Sequence, residues 1–374
     1  MNFTKSLPSL IRPLSTKPVA SKLSGTARFY HCHKAFANSL HRKVHTSNAV
    51  AKSPRILITG SLGQLGSGLA RLLREKYGND NVIASDIRKP NEQNLGAGPY
   101  VHADVLNYQQ LESLVVDFDI DWVVHLSAIL SAVGEKNTAK ALAVNVTGFQ
   151  NVLDLAKNHG LRIFSPSTIG AFGVSTPKDN TPDLTIQRPN TIYGITKVNM
   201  ELMGEYYHEK YGVDFRSVRY PGIISADTMP GGGTTDYAVE IFHEALKTGK
   251  YECFLSKDTS LPMMYLPDCL RGTADFLEAP NEQLKQRIYN MAAVSFTPAE
   301  ITEAIRAHIP DFEISYAPDF RQAIADSWPR SLDDSAARRD WNWKHEYDTA
   351  GMVEDMLTRL SPQYAAEEAT RVAA

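Results

Sequence analysis

Acidic side chains are absent from the first 74 residues of this 374-residue chain; the first is Glu75. Residues 1–50 instead carry eight basic ones: Lys5, Arg12, Lys17, Lys22, Arg28, Lys34, Arg42 and Lys43. A basic, acid-free stretch with scattered Ser and Thr has the composition of a mitochondrial transit peptide. Phe3, Leu7, Leu10, Ile11 and Leu14 can share one side of a short amphipathic helix, interrupted at Pro8 and Pro13. Cysteine is scarce: Cys32, Cys253 and Cys269 form no CxxC pair and no His/Cys cluster. That argues against a disulfide framework and a zinc site, so no metal is expected and the two body cysteines are expected as free thiols. No run of 18 apolar residues occurs, so no membrane insertion is expected.

What remains is ordinary globular composition, 43% hydrophobic and 22% charged. The length suggests about two domains or lobes. The net charge of −3 is the sum of two unlike parts. Beyond the leader, residues 51–374 hold 31 basic against 42 acidic side chains. Nucleic acid is not an expected partner, because phosphate neutralisation needs a basic face.

Short β-branched runs alternate with helical spacing over the next 170 residues. Strands are expected at Arg55–Thr59, Val82–Ser85, Tyr100–Ala103, Asp121–Leu126, Arg162–Ser165 and Asp214–Arg219. Helices are expected from Leu65 to Tyr77, over Gln109–Phe118, and over the long stretches Ala139–His159 and Tyr193–Tyr211. This alternation predicts an α/β fold, a Rossmann-like doubly wound parallel sheet, with a smaller C-terminal substrate-binding lobe where the rhythm becomes irregular after Tyr220. The expected division is a leader at 1–53, a dinucleotide-binding domain at 54–220, an interleaved lobe at 221–350 and a C-terminal helix and tail at 351–374.

Between the first strand and the first helix runs TGSLGQLG, Thr59–Gly66. Its glycines Gly60, Gly63 and Gly66 stand at i, i+3 and i+6, flanking Leu62, Gln64 and Leu65. The first permits a tight turn, the second lets backbone approach a pyrophosphate, and the third lets helix pack on strand. The helix N-terminus then offers N–H groups and a positive dipole end to the phosphates. Asp86 ends the next strand, 26 residues beyond Gly60, where a carboxylate can accept hydrogen bonds from ribose hydroxyls. It would repel a 2′-phosphate, so NAD is the expected cofactor, with Arg88 and Lys89 weakening that preference. Asp104 and Val105, after the third strand, suit the adenine. Leu126, Ser127 and Ala128, after the fourth, would pass under the cofactor. His125 reads as a core residue.

Tyr193 and Lys197 stand at i and i+4, one helical turn apart on one face. A phenol is a poor base at neutral pH unless a neighbouring ammonium stabilises its phenolate. Lys197 supplies that charge and can bond a ribose. The third member is a hydroxyl at the end of the fifth strand, within SPST at Ser165–Thr168: Thr168 first, Ser167 second. It would hold the substrate oxygen.

In this order the TGxxGxxG turn, Asp86, Asp104, the SPST strand end with Phe172-Gly173, the YxxxK pair and RYPG at Arg219–Gly222 resemble the extended short-chain dehydrogenase/reductase family, over residues 55 to about 345. The resemblance implies cofactor contacts at Tyr220 and Pro221 as well. Sugar-nucleotide epimerases of this family carry an Asn where Gly222 stands here. The turn PGGGTTDYA at Pro230–Ala238, LSAILSAVG at Leu126–Gly134, Met263-Met264-Tyr265 and WPRSLD at Trp328–Asp333 instead resemble the family's threonine-oxidising members. What this implies is NAD-dependent oxidation of the β-hydroxyl of L-threonine to 2-amino-3-oxobutyrate, with Tyr193 taking the hydroxyl proton. Ser131, Gly231, Thr234 and Asp236 are the further substrate-binding candidates. N–H groups and hydroxyls around Gly231–Thr235 would take the carboxylate, and Asp236 the ammonium. The resemblance also implies the mitochondrial matrix and a homodimer formed through the two long helices. The alternatives are a nucleotide-sugar epimerase or dehydratase using NAD, and a non-catalytic NAD-binding regulator.

Overall fold

Alternation of side chains across the first strands decides which helices cover the sheet. In the computed structural model, which describes residues 53–90, 98–231 and 233–373, strand β1 (Ile56–Thr59) is buried on both faces. Ile56 and Ile58 point to a layer shared with Leu69, Leu73, Leu270 and Phe276. Leu57 points the other way, among Leu111, Val152, Leu153 and Met200. A period of two between two apolar layers is what a parallel sheet covered on both faces requires. The expected leader, apart from Ser53, lies outside the described residues.

Around β1 the sheet grows in both directions. On one side lie β2 (Val82–Asp86) and β3 (Tyr100–His102). On the other lie β4 (Trp122–His125), β5 (Arg162–Phe164), β7 (Asp214–Tyr220) and β11 (Ile288–Asn290), with β6 (Ser167–Thr168) paired to β7. All these pairs are parallel. The order 3-2-1-4-5-7-11 therefore reverses between β1 and β4, and a crevice opens at the carboxyl ends of the strands there. This is the Rossmann-like doubly wound arrangement that the sequence predicts.

The smaller lobe is a second layer set. Strand β8 (Gly222–Ile224) pairs with β10 (Leu261–Tyr265), which pairs antiparallel with β12 (Val294–Phe296); β9 (Lys250–Cys253) pairs with β13 (Glu313–Tyr316). Its core gathers Tyr237, Phe242, Phe254, Met263, Tyr265, Phe312 and Met356. The chain does not leave the large sheet at Tyr220, because β11 returns to pair Tyr289 with Val218 of β7. Residues Ser53–Ala374 accordingly form one compact unit. Among the described residues no helix is long and apolar enough to cross a membrane.

One expected helix is interrupted. Ala139–His159 is resolved into Thr138–Leu142, a π-turn at Ala143–Gly148 and Phe149–His159. The widened turn presents Asn145, whose amide makes three hydrogen bonds described below. Such single wide turns accompany functional sites.

Candidate active site

The glycine turn is built by contact rather than by taste for flexibility. Gly60 has φ +70°, and a Cβ there would stand 2.7 Å from the Ser127 nitrogen. A Cβ at Gly66 would stand 2.4 Å from the Gly60 oxygen. So Leu126 and Ser127 run directly beneath the turn, with the Leu126 N–H bonded to the Thr59 oxygen at 3.0 Å. Helix Gln64–Tyr77 opens after Gly63 with no side-chain cap and no acid in its first turn. The Ser61 hydroxyl is buried without a partner among the described residues. An uncapped helix start, a backbone cradle and an unmatched hydroxyl together fit a pyrophosphate.

Asp86 anchors the other end of that cradle. Its carboxylate accepts the Leu62 N–H at 3.1 Å and the Arg88 N–H at 3.0 Å, and Arg88 Nε lies at 3.2 Å. Burial pushes the Asp86 carboxyl up, but these bonds outweigh it and hold it below the ordinary value. A carboxylate at the end of β2 fits a ribose diol, and Arg88 already sits against it. Asp104 is half-buried, its Oδ1 accepting the Leu106 N–H at 2.9 Å. Val105 is buried, with its carbonyl held by Asn151 at 2.9 Å. Ala128 is half-buried beyond Ser127. The Tyr220 phenol turns into the core against Thr273, so Pro221 and the Tyr220 backbone are what this stretch leaves for a cofactor.

Tyr193 lies in the first turn of helix Ile192–Tyr211, which is capped by the Thr191 hydroxyl accepting the Gly194 N–H at 3.1 Å. The helix start presses on the loop after β6: a Cβ at Gly194 would stand 2.2 Å from the Gly170 oxygen. The Thr168 hydroxyl, which accepts the Gly170 N–H at 3.1 Å, stands near enough to the Tyr193 phenol to act on its proton. Burial pushes the phenol up, the Thr168 hydroxyl opposes this, and the outcome is about 12. Lys197, buried one turn on, lies 5.7 Å from the Tyr193 ring and donates to the Pro166 carbonyl at 2.6 Å. Burial pushes its ammonium down to about 8, and the Glu201 carboxylate opposes this. His125 is a core residue as expected: it is bonded to Thr59 at 2.9 Å and pushed down to about 3, chiefly by burial.

The two hydroxyl candidates separate. Thr168 meets Tyr193, whereas the Ser167 hydroxyl is given to Glu201 in the interior. The loop after β8 also differs from expectation. Asp236 Oδ2 accepts the N–H groups of Gly231 and Gly233, both at 2.7 Å. The groups expected to hold a substrate's carboxylate and its ammonium are thus bonded to one another. A glycine loop entering a helix needs an acceptor for its N–H groups, and the carboxylate at the helix start supplies it. Thr234 is buried beside them, and Ser131 is half-exposed at the start of helix Ser131–Lys136.

Sequence reasoning missed Asn145. Its Oδ1 accepts the Ile129 N–H at 2.7 Å, and its Nδ2 donates to the Ile129 oxygen at 2.9 Å and to Thr196 at 3.1 Å. It thereby ties the loop after β4 to the helix of Tyr193 and Lys197. A polar side chain in the middle of an otherwise apolar helical run was the available signal. Gly222 is informative through what surrounds it. A Cβ there would stand 2.4 Å from the Met263 sulfur and 2.8 Å from Thr235, so a larger side chain needs both of these to move.

The model of the NAD dependent epimerase/dehydratase family matches residues 56–292. The pig protein named L-threonine 3-dehydrogenase, mitochondrial, is 59% identical over 313 residues, which span 83% of this chain and 84% of the relative. The crystal structure of L-threonine dehydrogenase from Phytophthora infestans is 56% identical at a TM-score of 0.80, covering 83% of this chain and 99% of that one. The holo form of a GalE-like L-threonine dehydrogenase from Cupriavidus necator is 50% identical at a TM-score of 0.79, covering 82% and 100%.

Proposed function

Because this chain belongs to the NAD dependent epimerase/dehydratase family, we propose that it oxidises the β-hydroxyl of L-threonine with NAD, giving 2-amino-3-oxobutyrate. The observation that carries this reading is the grouping of the Thr168 hydroxyl, the Tyr193 phenol and the buried Lys197, whose Nζ lies 5.7 Å from the Tyr193 ring, at the carboxyl edge of the parallel sheet.

Each residue has a task that its surroundings support. Tyr193, as phenolate, takes the proton from the β-hydroxyl. Thr168 holds the same oxygen as it becomes a carbonyl. Lys197 keeps the phenolate accessible by its charge. Gly60, Leu62, Gly63, Gln64, Leu65 and Gly66 hold the pyrophosphate, and Asp86 holds the ribose. NAD, when bound, supplies the acceptor for the hydride from C3 and a positive ring that lowers the phenol further. Met263 and Thr235 crowd Gly222, where a nucleotide-sugar enzyme carries its Asn, and this weighs against that alternative. Purified protein is expected to form NADH with L-threonine, and Tyr193→Phe to lose at least about a hundredfold in kcat while still binding NAD. NAD binding without any NADH from L-threonine would sink the assignment.

Two further readings belong with it. Leu142, Ile195, Leu202 and Tyr206 are exposed along the two long helices, a stripe that supports a homodimer. The basic leader, with relatives in pig and cattle named mitochondrial, supports delivery to the mitochondrial matrix. Deleting residues 1–50 should leave the protein in the cytosol; matrix import of the truncated chain would contradict that role.

A further inference from the structure

Four donors converge on one buried carboxylate beneath the Tyr193–Lys197 pair. Glu201 is 1% exposed and stands one helical turn after Lys197 and two after Tyr193. Its Oε1 accepts Arg219 Nε at 2.9 Å and the Ser167 hydroxyl. Its Oε2 accepts Arg219 Nη2 at 2.7 Å and Gln187 Nε2 at 2.8 Å. Arg219, itself buried, passes on to the Asp183 carbonyl at 2.8 Å and to Asn290 Oδ1 at 3.2 Å. One carboxylate therefore joins the catalytic helix to β6 and β7, and through Arg219 to β11.

Two effects reach the reacting groups from here. Ser167 precedes Thr168, so fixing the Ser167 hydroxyl fixes the strand end from which Thr168 meets Tyr193. The second effect is charge. The groups around Lys197 are the Tyr193 ring on its own helix, the Pro166 carbonyl before β6, neutral His125 on β4, and Glu201. Among the described residues Glu201 is the anion that acts on this ammonium, with Arg219 on its far side.

We propose that Glu201 is the positioning residue of this site, holding Thr168 against Tyr193 through Ser167 and keeping the Lys197 ammonium charged one turn away. Its oxygens are taken by protein donors, so it acts through Thr168 and Lys197 and not on the substrate. The inference rests on the dehydrogenase reading above. Without the carboxylate, the buried ammonium loses its proton at lower pH, and the phenolate loses its partner there.

Glu201→Gln keeps the shape and removes the charge. In the NAD-free protein the Lys197 Nζ titration, followed by 15N NMR and assigned by its loss in Lys197→Met, is expected to fall by roughly one pH unit. With L-threonine and NAD, the alkaline limb of the kcat–pH profile is expected to move down by a similar amount, with kcat about tenfold lower and KM within about twofold. Glu201→Asp, which keeps the charge, should restore the limb. If the stranded Arg219 prevents Glu201→Gln from folding, Glu201→Gln/Arg219→Met removes that cation and carries the same expectation. A folded variant whose Lys197 titration coincides with wild type overturns the proposal. Absence of wild-type turnover overturns the functional reading instead, and the NMR titration still decides the role of Glu201.

Discussion

Lys197 holds its buried place beside Tyr193 at a cost in stability. An ordinary lysine titrates at 10.5 and this one at about 8, because burial disfavours its charge. The gap corresponds to about 3 kcal/mol of cost below pH 8, where the side chain is charged in both folded and unfolded chains. That cost is relieved as pH rises from about 8 to 10.5, because the folded protein discharges first. Lys197→Met should therefore stabilise the protein by about 1–3 kcal/mol at pH 7, abolish turnover, and lose its advantage by pH 10.5. Denaturant unfolding at several pH values checks this; a gain that does not fade with pH would contradict the burial account. At this scale much of the site was readable. Tyr193, Lys197 and Thr168 follow from helical spacing and a strand end. The fate of Ser167 and of Asp236 did not, because each is claimed by a partner far away or by a loop that only the fold closes.

The first turn of helix Ile192–Tyr211 depends on a glycine that spacing arguments pass over. A Cβ at Gly194 would also stand 2.6 Å from Pro189, and its collision with the Gly170 oxygen involves backbone, which does not yield cheaply. Gly194→Ala should push the helix start off the Thr168 loop, cost about 1–3 kcal/mol of stability and lower kcat by on the order of a hundredfold, with NAD affinity nearly unchanged. Wild-type kcat in a folded Gly194→Ala protein would remove this contact from the mechanism. Strand and helix positions follow closely from the sequence because buried parallel strands are short continuous apolar runs between turns. The π-turn at Ala143–Gly148 was hidden for the opposite reason. Its apolar neighbours keep helical spacing, and the bonds that Asn145 makes from it to Ile129 and Thr196 exist only once the fold has closed.

For the molecule as a whole, the exposed stripe on the long helices and the acidic body make different demands. Leu202 is 59% exposed on a helix that also exposes Ile195 and Tyr206, so Leu202→Glu should drive a dimer to monomers in sedimentation. Sedimentation of the unaltered protein as a monomer at micromolar concentration would contradict the homodimer. The split charge was legible at once, and it constrains the chemistry. An acidic body does not draw a carboxylate substrate in, so capture has to be local. Gly231 and Gly233 are already bonded to Asp236, so the N–H pair that the sequence suggests for that capture already has an acceptor. Hydride transfer from L-threonine to NAD is tested by following the hydrogen itself. With L-threonine deuterated at C3 and NAD, the NADH formed should carry deuterium at nicotinamide C4, in step with formation of 2-amino-3-oxobutyrate. NADH without deuterium, or no NADH at all, would contradict it.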